Sequence, residues 1–293
     1  MHRDNFVKRV LIAITIGTAV TIAWQRDLHF PIRDWVRPVG LCGLLWIAKA
    51  YYQKRAVENF AACLQAMVYL VAFSTSFTVL TYAVATLGSP LVDAQLMSCD
   101  QALGIHLPDI VAWANRHPQV QQGLQWTYDS LLYQTPLVLI VLGLAGSQRH
   151  LDDFILQFMI AAWLTVLVFV WAPALGPFAA YNYPTQPSQD RYLEHFLALR
   201  DGSRTLISWR NAEGLITVPS FHTSWAILLA FAFRDWKWLL PPAIALNICV
   251  VIATLTSGWH YATDVVLGAV VAATSLLLVA VSGNWRYAMP TAD

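Results

Sequence analysis

Charge is scarce in this chain. Only 12% of its 293 residues are Asp, Glu, Lys or Arg, against about 25% in an ordinary soluble domain. The 18 Lys and Arg nearly balance the 17 Asp and Glu, for a net charge of +1. No basic block is dense enough to neutralise a row of phosphates, which excludes a nucleic-acid partner. Cysteine is also sparse: Cys42, Cys63 and Cys249 lie in apolar runs, Cys99 lies in a more polar stretch, and no C-x-x-C pair occurs. Neither a disulfide framework nor a structural zinc site is indicated. The apolar run 10–24 follows Arg3, Lys8 and Arg9 as in a signal peptide, but it ends in Trp-Gln-Arg-Asp without a small-residue cleavage site. It reads as an uncleaved first span. The sequence shows no internal repeat, no low-complexity tract and no linker.

What fills the chain instead is apolar. Hydrophobic residues make up 57%, with 13 Trp and 11 Tyr, rings suited to the headgroup level of a bilayer. This composition points to a multi-pass membrane protein. A spanning helix needs about 20 apolar residues, and eight stretches come close: 7–24, 36–53, 60–87, 124–146, 153–175, 219–233, 238–257 and 260–282. Segment 89–122, with Pro90, Pro108 and Pro118, reads as short interfacial helices. Segment 176–218 is the longest polar stretch, and loops of that length are usually functional or disordered. With the N-terminus inside, the cytoplasmic segments hold ten Lys and Arg and the opposite side eight, so the N-terminus is expected in the cytoplasm. Four of those eight, Arg191, Arg200, Arg204 and Arg210, fall in the long loop.

Two segments carry candidate chemistry. Val218-Pro-Ser-Phe-His-Thr-Ser-Trp opens the sixth stretch and Ser257-Gly-Trp-His-Tyr-Ala-Thr-Asp opens the eighth. Under the eight-span reading both histidines reach the same membrane face. His260 and Asp264 are four residues apart, so on a helix the carboxylate can accept from one ring nitrogen and leave the other free. A neutral imidazole held this way is a base or a nucleophile. An ionisable residue inside a span is costly and marks a functional site by default. Three rivals stand beside this reading. A metal site lacks a third nearby ligand, a bis-histidine haem leaves Asp264 unexplained, and a non-catalytic transporter lined by Asp129, Asp264 and His260 predicts no covalent intermediate.

The paired P-S-F-H and G-W-H-Y-A-T-D segments, 38 residues apart between their histidines, resemble the second and third signature motifs of the type 2 phosphatidic acid phosphatase superfamily, mainly over residues 173–268. The resemblance implies that His260 is the nucleophile that takes the phosphoryl group, Asp264 its partner, His222 the general acid toward the leaving alcohol, and Ser220 a phosphate ligand. Two departures stand out. The family's Lys-x6-Arg-Pro motif is absent, since the sole Arg-Pro is Arg37-Pro38 with Phe30 at the Lys position, and Ala253-Thr254 replaces the Ser-Arg that usually opens the third motif. In both respects, and in Pro173-Ala-Leu-Gly-Pro-Phe, the chain is similar to the inositol phosphorylceramide synthase and sphingomyelin synthase branch.

Phosphoryl chemistry needs cations or donors around three oxygens. Arg200, Arg204 and Arg210 are the local candidates, Arg200 foremost, and Asp129 with Tyr128 is a candidate network. The expectation is an all-α membrane bundle of about eight spans, with accessory N-terminal spans over 1–58 and a phosphatase-like catalytic domain over 59–284. It would act on a membrane lipid with an alcohol or water as acceptor, without metal or other cofactor. The site would lie on the face opposite the cytoplasm, in an inner or plasma membrane. Transfer of the inositolphosphotransferase type is expected, with plain lipid phosphate hydrolysis as the alternative.

Overall fold

The computed structural model describes residues 2–208 and 212–288. Among them are thirteen helices and no strand, only an isolated bridge between His29 and Leu206. The long helices are α1 (His2–Gln25), α2 (Ile32–Lys54), α3 (Glu58–Ala85), α8 (Gln148–Trp171) and α13 (Ala262–Ala288), with α6 (Pro118–Asp129) running through Ser130 into α7 (Leu131–Leu144). The short ones are α4 (Asp93–Ala102), α5 (Leu107–Arg116), α9 (Pro177–Ala180), α10 (Pro187–Arg200), α11 (Phe221–Phe231) and α12 (Leu240–Thr256).

Five segments of the described chain are long and apolar enough to cross a membrane: Asn5–Gln25, Glu58–Ala85, Pro118–Leu144, Gln148–Trp171 and Ala262–Ser282. At 1.5 Å per residue, the 24 residues of α8 extend about 36 Å, enough for a hydrocarbon core of about 30 Å. The chain is therefore a multi-pass membrane protein. Helices α11 and α12 are apolar but shorter. Helix α2 has 23 residues but carries Arg33, Asp34 and Arg37 in its first two turns and Lys49 and Lys54 near its end. The expected fourth span at 124–146 is observed six residues earlier, because Pro118 starts the helix where its missing N–H is harmless and the apolar stretch of α7 continues the same axis.

The core lies between α3, α7, α8 and α11, where Phe73, Phe154, Phe158 and Leu139 are buried together. A second cluster joins the far end of α3 to α10 through Tyr82, Phe169, Tyr192 and Phe196. That cluster explains why 176–218 is not an open loop. Pro187 sits at the start of α10, Gln186 and Gln189 cap it reciprocally, and Tyr192, Phe196 and Leu199 recur at helical spacing on its buried face. A third cluster, with Leu96, Leu107, Ala174, Val218 and Tyr261, lies beneath the starts of α11 and α13.

Candidate active site

The site forms where α11 and α13 begin. Ser220 is the N-cap of α11, and its hydroxyl accepts from the Thr223 amide at 3.3 Å, as a Ser cap does for the unpaired amides of a first turn. Its own amide donates to the Asp264 carbonyl at 3.0 Å, which ties the two helix starts together. Gly268 makes that closeness possible: a Cβ there would stand 2.3 Å from the Ser220 carbonyl oxygen. Ser224 adds a hydrogen bond to the Gly268 carbonyl at 2.7 Å.

This clamp aligns four polar side chains in one row. His260 Nδ1 lies 3.4 Å from the Asp264 carboxylate, His260 Nε2 lies 3.3 Å from His222 Nδ1, and His222 Nε2 lies 2.8 Å from the Tyr128 hydroxyl. Proton placement follows from donor and acceptor counting. With Asp264 ionised, His260 donates from Nδ1 and keeps a lone pair on Nε2. His222 then donates from Nδ1 to that lone pair, and Tyr128 donates to His222 Nε2. Every ring nitrogen has a partner, and the lone pair of His260 points at His222 and the space between them. Both His260 and Asp264 are almost wholly buried, and one carboxylate oxygen, Oδ1 of Asp264, has no hydrogen-bond partner.

Two further acids build the site without entering it. Asp100 accepts from the amides of Ala262 and Thr263 at 2.9 and 2.8 Å and from the Thr263 hydroxyl at 2.6 Å, so a side chain from α4 caps α13. Asp93, two turns earlier on the same helix, accepts from the Tyr261 hydroxyl at 2.9 Å and from the amides of Leu175 and Gly176. Gly176 holds φ at 104° beside the Trp259 carbonyl, a conformation that favours glycine. Sequence reading assigned no role to either acid. Their seven-residue spacing, which puts both on one face of α4, was the available signal.

The polar segment folds over this end. The Gly258 carbonyl accepts from the Phe178 amide at 3.1 Å, and the Gln189 side chain donates to the Ser257 carbonyl at 3.1 Å. Trp259 packs edge-on against Phe178 and Tyr192.

Of the residues expected at the site, the fold gathers Ser220, His222, His260, Asp264 and Tyr128. Asp129 is exposed and accepts from Gln125 at 2.9 Å, apart from the histidine row. The Arg200 guanidinium donates to the Ser89 carbonyl at 2.7 Å and lies over the Phe196 ring. Arg204 pairs with Glu194. Neither arginine is hydrogen-bonded to a histidine of the row, and Arg210 lies outside the described residues.

The sequence profile of the PAP2 superfamily matches residues 94–278, well over half of the chain. The chain belongs to the PAP2 superfamily. The matched region begins within α4, so it includes Asp100 as well as both histidines, and excludes α1, α2 and α3. An uncharacterized protein of Methanocaldococcus jannaschii, MJ0662, is 38% identical over 60 residues, which cover 20% of this chain. That stretch spans a quarter of the relative's own length. No solved structure matches the chain.

Proposed function

We propose that this PAP2 superfamily member is a lipid phosphate phosphotransferase or phosphatase that works through a phosphohistidine. The observation that carries the reading is the row Tyr128, His222, His260, Asp264 at the start of two apolar helices. His260 Nε2 attacks phosphorus in line as the bond to the lipid alcohol breaks. Asp264 stabilises the positive charge that grows on the imidazole. His222, protonated for this step, gives its Nδ1 proton to the leaving oxygen, while Tyr128 turns from donor to acceptor at Nε2. In the second half His222 takes a proton from the acceptor, whose oxygen attacks phosphorus as the P–N bond breaks. Backbone amides at the start of α11 are suited to the phosphate oxygens, and Arg200, Arg204 and Arg210 are the candidate cations, a role that requires Arg200 and Arg204 to leave Ser89 and Glu194 when substrate binds.

We read the acceptor as an alcohol, in the manner of inositolphosphotransferases. What supports this is the cover: a transferase must keep bulk water from the phosphohistidine, and α9 and α10 pack across Ser257, Gly258 and Trp259. Plain hydrolysis is the second reading, favoured by the family's name. In this arrangement α2, α11 and α12 are embedded with the five longer segments, the N-terminus is cytoplasmic, and the site faces the other side. Residues 1–58 are accessory to a catalytic unit over 59–284. Labelled lipid phosphodiester, given to the purified protein and quenched in alkali, should leave acid-labile label on the wild type and none on His260→Ala. In the presence of an alcohol acceptor the label should then move to that alcohol faster than to water. Wild-type protein that turns over without acid-labile label excludes the mechanism, and hydrolysis product alone with every acceptor favours the phosphatase.

A further inference from the structure

A polar cavity lies at the end of the bundle far from the histidine row. Its floor comes from the first turns of α3 and α8, and about 20 residues of α8, or some 30 Å of helix, separate Asp152 from the segment that meets the histidine site. The cavity holds about 540 Å³ and is bounded by α1, α2, α3 and the start of α8. Arg9 and Lys49 line it from α1 and α2, with the amides Asn59, Gln65 and Gln148. Neither cation has a hydrogen-bond or ion-pair partner among the described residues. Tyr69 lines it too, is 5% exposed, and its hydroxyl is buried with no hydrogen-bond partner. The two acids at the wall are unequal. Asp152 is already paired with Lys8, and Glu58 at the rim offsets one of the two cations. One positive charge is left over, beside an unused phenol and several amide donors.

That inventory suits one chemical class. A guanidinium and an ammonium bind phosphate oxygens, the first as a fork and the second as a point charge, and neutral amides supply the remaining donors. The walls α1 and α2 also expose Ile14, Leu44 and Ile47, and the exposed Phe6 lines the cavity itself, so apolar surface suited to lipid tails adjoins the polar lining. Under the N-inside orientation this end meets the leaflet that carries anionic lipid. We propose that Arg9, Lys49 and Tyr69 form a binding site for an anionic phosphate group, at the opposite end of the bundle from the histidines and independent of their chemistry.

The test uses the full-length protein in mixed micelles, with native mass spectrometry reading how much phosphatidylglycerol or phosphatidylcholine is retained. Phosphatidylglycerol should be retained preferentially. Arg9→Gln/Lys49→Gln should weaken that retention roughly thirtyfold, the change expected of two cations beside an anionic lipid. Lys54→Gln/Arg55→Gln, which removes equal charge just outside the cavity, should change it less than about threefold. Melting of both variants in phosphatidylcholine alone reports whether they fold. Displacement of the lipid by millimolar inorganic phosphate identifies a site for any phosphate, and retention against it identifies a lipid headgroup site. Equal retention of the two lipids, undiminished retention in Arg9→Gln/Lys49→Gln, or an equal loss in Lys54→Gln/Arg55→Gln overturns the proposal.

Discussion

Two acid–base pairs lie at opposite ends of this bundle, and they are built differently. Lys8 and Asp152 form a direct ion pair between α1 and α8, with the ammonium also 5.7 Å from the centre of the Tyr69 ring. The lysine is buried and the aspartate side chain keeps 29% of its surface exposed. His260 and Asp264 sit 3.4 Å apart within one turn of the chain, at 3% and 0% exposure. The first pair is closed, since each charge has its opposite and nothing extends from it. The second opens into a row of neutral donors and acceptors that ends at Tyr128. A closed ion pair joins two helices, whereas an open row is suited to moving a proton.

That contrast predicts which property fails when each pair is broken. Asp264→Asn should leave a folded protein whose imidazole has lost its orienting acceptor. Turnover of a lipid phosphate should fall by about 10²- to 10⁴-fold, the scale set by losing the aspartate of a catalytic triad. Tyr128→Phe, at the other end of the row, removes one neutral hydrogen bond and should cost about 3- to 10-fold. Initial rates on one lipid substrate measure both, and equal losses in the two variants would show that the row does not act as drawn.

Lys8→Met should show in stability instead. It strands the Asp152 carboxylate, which a fully buried site would penalise by about 3–5 kcal/mol. Because Asp152 is partly exposed, about 1–3 kcal/mol is the better expectation. Lys8→Met/Asp152→Leu should regain most of it, since an apolar replacement for both partners is often neutral. Thermal melting in one detergent decides the matter, and a double variant as unstable as the single would remove the ion pair from the account.

The same contrast shows what the sequence could disclose. Ser220, His222, His260 and Asp264 were legible because each pair acts within a few residues at a helix start, where spacing alone implies geometry. The five segments long and apolar enough to cross a membrane were legible to within about six residues, because apolar runs must match a bilayer. Asp93 and Asp100 were not, because their partners at Leu175, Tyr261 and Thr263 are 82 to 168 residues away, and a seven-residue spacing marks a shared helix face without disclosing what that face caps. Arg200 and Arg204 were chosen for charge and proximity in the chain. The fold directs them to Ser89 and Glu194, because α10 turns its buried face to α3 and ends with Arg200 beside Ser89, while Arg204, four residues beyond the helix, folds back to Glu194. Helix α10 itself was read as part of a loop, since polarity outweighed the spacing of Tyr192, Phe196 and Leu199.

The smallest expected effect concerns how firmly that cover is held. His195 of α10 is buried, and its Nδ1 accepts from the Tyr82 hydroxyl of α3 at 3.0 Å, while the Tyr82 oxygen accepts from the Glu213 amide at 2.8 Å. Burial, and next the Arg204 charge, push the His195 imidazole below its ordinary value of 6.5, against smaller opposing effects of Glu194 and Glu213. Undocked, the ring regains that ordinary value, so below about pH 6.5 the open form binds a proton that the docked form refuses. Docking of α10 is therefore at full strength above pH 6.5 and weakens as the pH falls from there. A protonated His195 also loses the lone pair that Tyr82 donates to, so the same contact breaks from both sides. Hydrogen exchange across 187–200, corrected for intrinsic rates, should show less protection at pH 5 than at pH 7.5. His195→Gln should flatten that difference, because a glutamine keeps an acceptor and cannot titrate. If the cover keeps water from the phosphohistidine, the acid-loosened wild type should also shift from transfer toward hydrolysis and His195→Gln should not. Equal protection at both pH values in the wild type would show that α10 is held by its apolar face alone.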